Sequence, residues 1–308
     1  MPEERPDILP DPSWKAVKQV ARLDEVQDYL INEIFKALGL RADSRIRAWF
    51  GPVFAPIVVN FAQKAAAFDA SVARLGLQQT AQEWLRKWIA GLHVVGREHL
   101  PAEGPLLIAS NHPGTVDGLA IASLVQRSDL KIVVAGNPFF RMLPNVREYF
   151  IYATRDPQVR LTTLLNAIRH LRSGGALLIF PNGMIDPDPL HYESLARQAL
   201  TRWSESVKLM LSKVPQANLV LAINSGLVAA DYLHNPVVRL RSNEAERQKL
   251  AEFLQVIHQV VFNRQVASQP SIAFSEPVPS ASLINAGEDI QAQITAVAAH
   301  LMDRLRAA

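Results

Sequence analysis

Hydrophobic residues recur at helical spacing through the first part of the chain. They return every three or four positions from Trp14 to Leu38, which predicts a helix that Gly39 would cap. Further helical stretches are predicted after Pro56 and over residues 79–90. Because no strand-like alternation appears among them, residues 1–90 are predicted to form a helical N-terminal extension.

Beyond this extension, short β-branched runs alternate with helical stretches. The predicted strands are Leu92–Val95, Leu106–Ala109, Lys131–Ala135, Tyr149–Ala153, Ala176–Phe180, Leu219–Ile223, Val237–Arg241 and Ser271–Phe274. The predicted helices are Gly118–Gln126, Leu161–Leu171, Leu190–Leu211, Asn243–Val266 and Asp289–Leu305. Asp188 is expected to cap the Leu190 helix, with Pro189 in its first turn. Residues 91–308 are therefore predicted to form an α/β domain with a mixed, largely buried sheet flanked by helices.

Composition and charge narrow the class of protein. Of the 308 residues, 49% are hydrophobic and 20% are charged, which is typical of a globular chain with a full core. The absence of cysteine excludes disulfides, thiolate zinc sites and a cysteine nucleophile. The net charge of +3 comes from scattered Lys and Arg residues, so no nucleic-acid partner is expected. A surface that meets anionic lipid or phosphate remains compatible with this charge.

The first 60 residues predict neither a signal peptide nor a transmembrane helix. The polar start Met1–Arg5 has no apolar core behind it. The apolar stretch Trp49–Val59 is shorter than the roughly 20 residues that span a bilayer. With Arg41, Arg45 and Arg47 before it, this stretch can lie in a bilayer interface or pack as a core helix, and the pattern leaves both open. We expect a cytoplasmic protein, peripheral on the cytoplasmic face of a membrane.

The first candidate for chemistry is the pair His112 and Asp117. They flank a tight turn, with a proline and a glycine, between the strand Leu106–Ala109 and the helix that begins near Gly118. Such a turn can fold the carboxylate back to one ring nitrogen of the imidazole while the other nitrogen faces substrate, which is the arrangement of a general base. The simpler alternative is an N-cap aspartate and a loop histidine.

Two further features follow predicted strands, where the sites of open α/β sheets gather. Arg155, just after Tyr149–Ala153, suits an anionic group such as phosphate, although a solvated surface charge is by itself the more frequent explanation. The segment Phe180-Pro181-Asn182-Gly183 ends another strand, and Gly183 permits a sharp turn or the close approach of a ligand. Taken alone, that segment would be an ordinary turn.

In this order and spacing, the three blocks resemble the glycerolipid acyltransferase family, which includes glycerol-3-phosphate and lysophosphatidate acyltransferases. The resemblance covers about residues 92–230. It implies that His112 acts as general base on an acceptor hydroxyl, that Asp117 orients it, and that Arg155 meets the acceptor's phosphate. The block Phe180–Gly183 would bind substrate.

The resemblance also implies the partners of the chain. The acceptor hydroxyl would attack the thioester of an acyl-CoA or an acyl carrier protein directly, with no covalent acyl-enzyme and no metal or cofactor. A thioester is already activated, so positioning and base catalysis are enough. A lipid acceptor and a membrane surface would be the other partners.

The third block departs from the family's Phe-Pro-Glu-Gly-Thr-Arg. Asn182 stands in place of the acid, and Ile185 in place of the arginine. The loss of a cation that binds phosphate bidentately weakens the case for a phosphorylated acceptor. Two alternatives therefore stay open: an acyltransferase for a non-phosphorylated acceptor, and a catalytically silent lipid-binding protein of the same fold.

Other enzyme classes lack their motifs in this sequence. A serine hydrolase needs Gly-x-Ser-x-Gly, of which Asn224-Ser225-Gly226 is only a fragment. The other histidines show no metal-ligand spacing, so no metal site is predicted. The turn after the Leu106 strand holds a single glycine, unlike a dinucleotide-binding turn.

Overall fold

A computed structural model describes residues 30–32, 34–35, 44–154, 156–203, 205–285 and 289–307 of the chain. Arg155 lies outside the described residues, as do most of the predicted helix from Trp14 and its Gly39 cap.

A mixed eight-stranded sheet forms the centre of the fold. Its strands are β1 (His93–Val95), β2 (Leu106–Ser110), β3 (Lys131–Ala135), β4 (Phe150–Ala153), β5 (Ala176–Ile179), β6 (Asn218–Ser225), β7 (Ser271–Phe274) and β8 (Val278–Pro279). The order is β1-β7-β6-β2-β5-β3-β4, and β8 pairs with β6. Strands β2 to β6 pair in parallel, whereas β7 and β8 run antiparallel to β6. The predicted class of a mixed α/β sheet is confirmed.

Helices cover both faces of this sheet. They are α1 (Ser44–Trp88), α2 (Asp117–Leu124), α3 (Pro138–Arg141), α4 (Pro157–Arg172), α5 (Glu193–Leu200), α6 (Ser206–Lys213), α7 (Ala230–Leu233), α8 (Pro236–Arg239), α9 (Glu244–Val256), α10 (Ser280–Asn285) and α11 (Ile290–Ala307). A π-helical turn, Ile257–Val261, continues α9, and short 3₁₀ turns cover Arg97–His99 and Val146–Tyr149. None of the described helices is long and apolar enough to cross a membrane.

The two core layers follow from the alternation of side chains along the central strands. In β2, Leu107 and Ala109 pack on one face with α4, α5, α6 and α11. Leu106 and Ile108 pack on the other face with α1 and α2. Because both faces are covered, every residue of β2 is buried, which explains the continuous apolar run in its sequence.

The long helix α1 packs through its C-terminal half against the α/β core. Trp84 and Trp88 lie in the same buried cluster as Ile121 of α2. The helix kinks at Gly76, where φ is 77° and a side chain would be strained. The domain boundary near residue 90 stays a prediction.

Part of the apolar stretch Trp49–Val59 packs inside the protein. Val58 is buried, and the ring of Phe54 meets that of Phe35 edge-on at 5.9 Å. Phe253 of α9 packs against the same cluster. For Phe54 and Val58, these contacts favour the core-helix interpretation over the interfacial one.

The strand predicted over Val237–Arg241 is wrong, because this segment forms α8 and a turn. The side chain of Asn235 accepts a hydrogen bond from the Val237 N–H at 2.9 Å, and Pro236 occupies the first helical turn. The β-branched residues suggested a strand, but the cap and the proline start a helix.

Two predicted helices are too long. The Leu190–Leu211 segment divides into two helices, since α5 ends at Leu200 and α6 begins at Ser206. The Asn243–Val266 segment begins as predicted, since Asn243 accepts a hydrogen bond from the Glu246 N–H at 2.8 Å. It ends with the π-helical turn, and Val266 pairs instead with Ile89 in an isolated parallel bridge.

Candidate active site

The imidazole of His112 and the carboxylate of Asp117 contact each other across the turn between β2 and α2. The His112 Nδ1 atom lies 2.8 Å from Oδ2 and 3.0 Å from Oδ1 of Asp117. The Asp117 side chain is buried and also accepts the Gly114 N–H at 3.2 Å, whereas 28% of the His112 side chain is exposed. With Nδ1 held by Asp117, the Nε2 atom is the one that can act on a substrate.

Two buried asparagines join the end of β2 to the neighbouring strand β6. The Asn111 side chain donates to the Asn224 carbonyl at 2.8 Å and accepts the Asn224 N–H at 2.7 Å. The Asn224 side chain donates to the Ser110 hydroxyl at 2.8 Å. In the sequence, Asn224 stands out only as part of the fragment Asn224-Ser225-Gly226 of a serine-hydrolase motif. Its role is to fix the residue that precedes His112.

The loop of the third block, Phe180-Pro181-Asn182-Gly183, is hydrogen-bonded to the backbone of His112 through Asp186. The Asp186 carboxylate accepts the His112 N–H at 2.9 Å, and the Asp186 N–H donates to the His112 carbonyl at 2.7 Å. The Asn182 amide donates to the other carboxylate oxygen at 2.5 Å. A buried carboxylate is thus present beside Asn182, four residues from the position of the family's acid.

Phe180 and Gly183 shape the same loop. The Phe180 ring stacks on the His112 imidazole, with centroids 4.4 Å apart and planes inclined by 29°. Gly183 has a φ of 65° and donates its N–H to the Phe180 carbonyl at 3.0 Å, which is the predicted sharp turn. Pro181 is buried between them. The structure therefore places the third block beside His112.

Asp188 does not cap a helix at Leu190, because α5 begins only at Glu193. Its buried carboxylate accepts the Gly226 and Leu227 N–H groups, both at 2.8 Å, and the Leu190 N–H at 3.0 Å. Asp188 therefore ties the loop after β5 to the loop after β6.

Helix α9 adds a further carboxylate, which the sequence analysis missed. The backbone N–H and the hydroxyl of Thr115 both donate to the Glu252 carboxylate. Thr115 lies between His112 and Asp117 in the turn. The side chain of Glu252 is buried there, 137 residues away in sequence.

The charges around His112 favour its protonated form. Burial lowers the pKa of His112, but the charge and hydrogen bond of Asp117, with the charges of Glu252 and Asp186, raise it to about 9. Burial raises the pKa of Asp186 and of Glu252. The hydrogen bonds that each carboxylate accepts lower its pKa but do not cancel this effect. The site is thus built to stabilise an imidazolium.

A cavity of about 480 Å³ lies away from this pair of side chains. It is bordered by Val72, Asp129, Lys131 and His170, at the edge where the parallel strands begin. His112 lies at the opposite edge, where they end. In the part of the chain that the structure describes, no group of three metal-ligating side chains comes together.

Residues 91–224 match the family model described as Acyltransferase. Among solved structures, a similar chain is the 1-acyl-sn-glycerophosphate (LPA) acyltransferase PlsC from Thermotoga maritima. It is 12% identical, the match covers 96% of this chain and 94% of that chain, and the TM-score is 0.46. A likeness this distant carries no functional inference. No curated protein matches the chain significantly.

Proposed function

We propose that this chain, whose residues 91–224 match the acyltransferase family model, is an O-acyltransferase that moves a fatty acyl group to the hydroxyl of a glycerolipid-type acceptor. The donor is the thioester of an acyl-CoA or an acyl carrier protein, and the acceptor is glycerol 3-phosphate or a lysophospholipid. The observation that carries the proposal is the buried Asp117 carboxylate 2.8 Å from Nδ1 of a partly exposed His112.

The proposed reaction uses His112 as general base. Its Nε2 atom takes the proton of the acceptor hydroxyl while the oxygen attacks the thioester carbonyl carbon. The new C–O bond forms and the C–S bond breaks, and the leaving thiolate takes the proton from the imidazolium. Asp117 keeps Nδ1 protonated and stabilises the imidazolium between these two transfers. Neither a covalent acyl-enzyme nor a cofactor takes part.

The site also favours a second candidate, transfer to an acceptor without phosphate. The charged side chains that face His112 in the described part of the site are Asp117, Asp186 and Glu252, all carboxylates. A phosphate beside them would need a cation, and Ile185 stands where the family has an arginine. If the acceptor is phosphorylated, we propose that Arg155 is the cation that binds its phosphate.

A panel of acceptors tests both candidates. Purified protein is mixed with acyl-CoA or acyl carrier protein and with glycerol 3-phosphate, lysophospholipids or uncharged monoacylglycerols, and thiol release and acylated product are measured. We expect His112→Ala to reduce turnover about 10³-fold with the preferred acceptor, because the base is lost. Turnover that survives His112→Ala would refute the mechanism, and no turnover with any acceptor would favour the lipid-binding alternative.

We further propose that the site edge of the sheet meets a membrane, on its cytoplasmic face. The segments that follow β5 and β6 expose large apolar side chains: Met184 (58% exposed) and Leu190 (67%) lie between β5 and α5, and Leu240 (85%) follows α8. Because β5 and β6 are parallel to β2, the chain leaves both strands at the same edge as His112. Arg239 and Arg241 flank Leu240, and a basic-apolar surface of this kind suits anionic lipid.

Vesicle flotation tests this surface. The double variant Leu190→Glu and Leu240→Glu should lose binding to anionic phosphatidylglycerol vesicles, because apolar contact is replaced by like charge. Leu209→Glu is the matched control, since Leu209 is an exposed apolar residue of α6, next to the opposite edge. Equal binding by the double variant and the wild type would exclude this edge as the membrane contact.

A further inference from the structure

Helix α9 lies outside the segment that matches the family, yet it buries a polar face against the site. Gln248, Glu252, Gln255 and Gln259 follow one another at spacings of four, three and four residues, so they share one face of the helix and its π-helical continuation. All four side chains are buried. Buried polar groups need hydrogen-bond partners, and those of Gln248, Glu252 and Gln255 lie in the loops of the site.

Gln248 joins the His112 turn to the third block. Its amide nitrogen donates to the Pro113 carbonyl at 2.9 Å and to the Asp186 carbonyl at 2.8 Å. Its amide oxygen accepts the Asp188 N–H at 2.8 Å. One side chain of α9 thus fixes both segments that surround the imidazole.

Glu252, one turn further along, holds the middle of the His112 turn. It accepts both donors of Thr115, and its carboxylate also lies beside Gly114, where a Cβ atom would be in contact with Oε1 at 3.4 Å. His112 and Asp117 are the two ends of this turn. Any movement of Thr115 would therefore change the distance between the imidazole and the Asp117 carboxylate.

A buried carboxylate at position 252 requires a positive charge nearby. A buried ionised carboxylate is destabilising unless a positive charge or several hydrogen bonds compensate it, and the described partners of Glu252 are the two donors of a single neutral residue. A glutamine would accept the same two hydrogen bonds without that penalty. Among the described residues, the imidazolium of His112 supplies a positive charge near Glu252, and its charge lowers the pKa of Glu252.

From these contacts we propose that Glu252 is a positioning residue for His112: it fixes the turn through Thr115, and its charge stabilises the His112 imidazolium. The groups that face His112 are Asp117 from α2, Asp186 from the loop after β5 and Glu252 from α9. Asp117 acts on His112 by direct hydrogen bonding. Glu252 acts on His112 by holding the Gly114–Thr115 turn in place and by the electrostatic effect of its negative charge. The catalytic part of this inference rests on the proposed function.

NMR titration of the His112 ring tests the inference without any substrate. The ring signals are assigned by their loss in His112→Ala, and the pKa of His112 is measured in the wild type and in Glu252→Gln. Glu252→Gln keeps an acceptor for Thr115 but removes the charge, so it should lower the pKa of His112 by about one unit. Thr115→Val, which removes only the hydroxyl donor, should leave that pKa nearly unchanged.

Gln259→Ala is the matched control for the stability of α9. Gln259 donates to the Trp88 carbonyl at 3.0 Å, on the same face but away from the His112 turn. Its loss should lower the melting temperature without changing the pKa of His112. An unchanged His112 pKa in folded Glu252→Gln would overturn the proposal, as would an equal decrease in Gln259→Ala.

Turnover then separates this inference from the proposed function. Glu252→Ala should reduce kcat by about tenfold or more while KM for the thioester stays within about twofold, because the base is displaced and the binding surface is not. Glu252→Gln should recover most of that loss at the pH optimum. If the wild type turns over no acceptor, the proposed function fails, and the titration still decides the role of Glu252.

Discussion

The two edges of the sheet both bury charged side chains, but they use them differently. At the edge where the parallel strands begin, buried Arg127 donates to the carbonyls of Gly104 and Gly174 at 2.6 and 2.7 Å and pairs with Asp129 at 2.6 Å. At the opposite edge, Asp117 is buried and its partner His112 keeps part of its ring exposed.

The difference separates a charge with a structural role from a pair that we propose is catalytic. The hydrogen bonds of Arg127 join loops before β2, β3 and β5, and its 5% exposed side chain is directed at main-chain oxygens and one carboxylate. His112 is oriented through one nitrogen, which leaves the other for a substrate. A cavity of about 480 Å³ lies at the edge of Arg127, beside Asp129, and not at the edge of His112.

The strongest test of this contrast is Asp117→Asn. We expect kcat/KM for acyl transfer to fall about 10³-fold, because an amide neither stabilises the imidazolium nor fixes the tautomer of His112. Steady-state kinetics with the preferred acceptor give the ratio, and circular dichroism checks that the variant is folded. A loss of less than threefold would mean that the pair is not the base and its orienter.

Arg127→Met is the counterpart at the other edge. It leaves two carbonyls without their buried donor, so the free energy of unfolding should decrease by about 3 kcal/mol. The pair with Asp129 adds little, since Asp129 is partly exposed. Urea denaturation measures the loss. At a temperature where the variant is folded, kcat should equal that of the wild type, and a large decrease in kcat would remove the distinction between the edges.

The contacts that the sequence predicted are the local ones. His112 and Asp117 are five residues apart, and the proline and glycine between them already indicate a turn. The continuous apolar runs of β2 and β5 likewise predicted strands buried on both faces. In both cases the pattern that forms the structure lies within a few neighbouring residues.

The contacts that the sequence did not reveal join distant segments. Glu252 and Gln248 stand in a helix whose polar residues at helical spacing are typical of a solvent-exposed face. Only the fold shows that this face is turned toward the His112 turn. Asp188 misled the prediction for a similar reason, since Asp-Pro is a common helix start while its real partners, Gly226 and Leu227, lie beyond the next strand.

The pH dependence of activity gives the finest test of the site edge. In the proposed mechanism the base is the neutral imidazole, and the neighbouring carboxylates raise the pKa of His112 to about 9. The kcat/KM for acyl transfer should therefore rise about tenfold per pH unit below that value and level off above it. Initial rates from pH 6 to 10 measure the profile, and Glu252→Gln should move its midpoint to lower pH.

Stability should follow the opposite course over the same range. A pKa raised from 6.5 in the unfolded chain to about 9 in the folded protein contributes stability that is full below pH 6.5 and is lost as pH rises through 9. The melting temperature of the wild type should thus fall relative to His112→Ala between these values, while Arg127→Met should parallel the wild type. If the difference in melting temperature between the wild type and His112→Ala does not change with pH, the carboxylates do not stabilise the imidazolium. The contrast between the two edges would then rest only on the exposure of the His112 side chain.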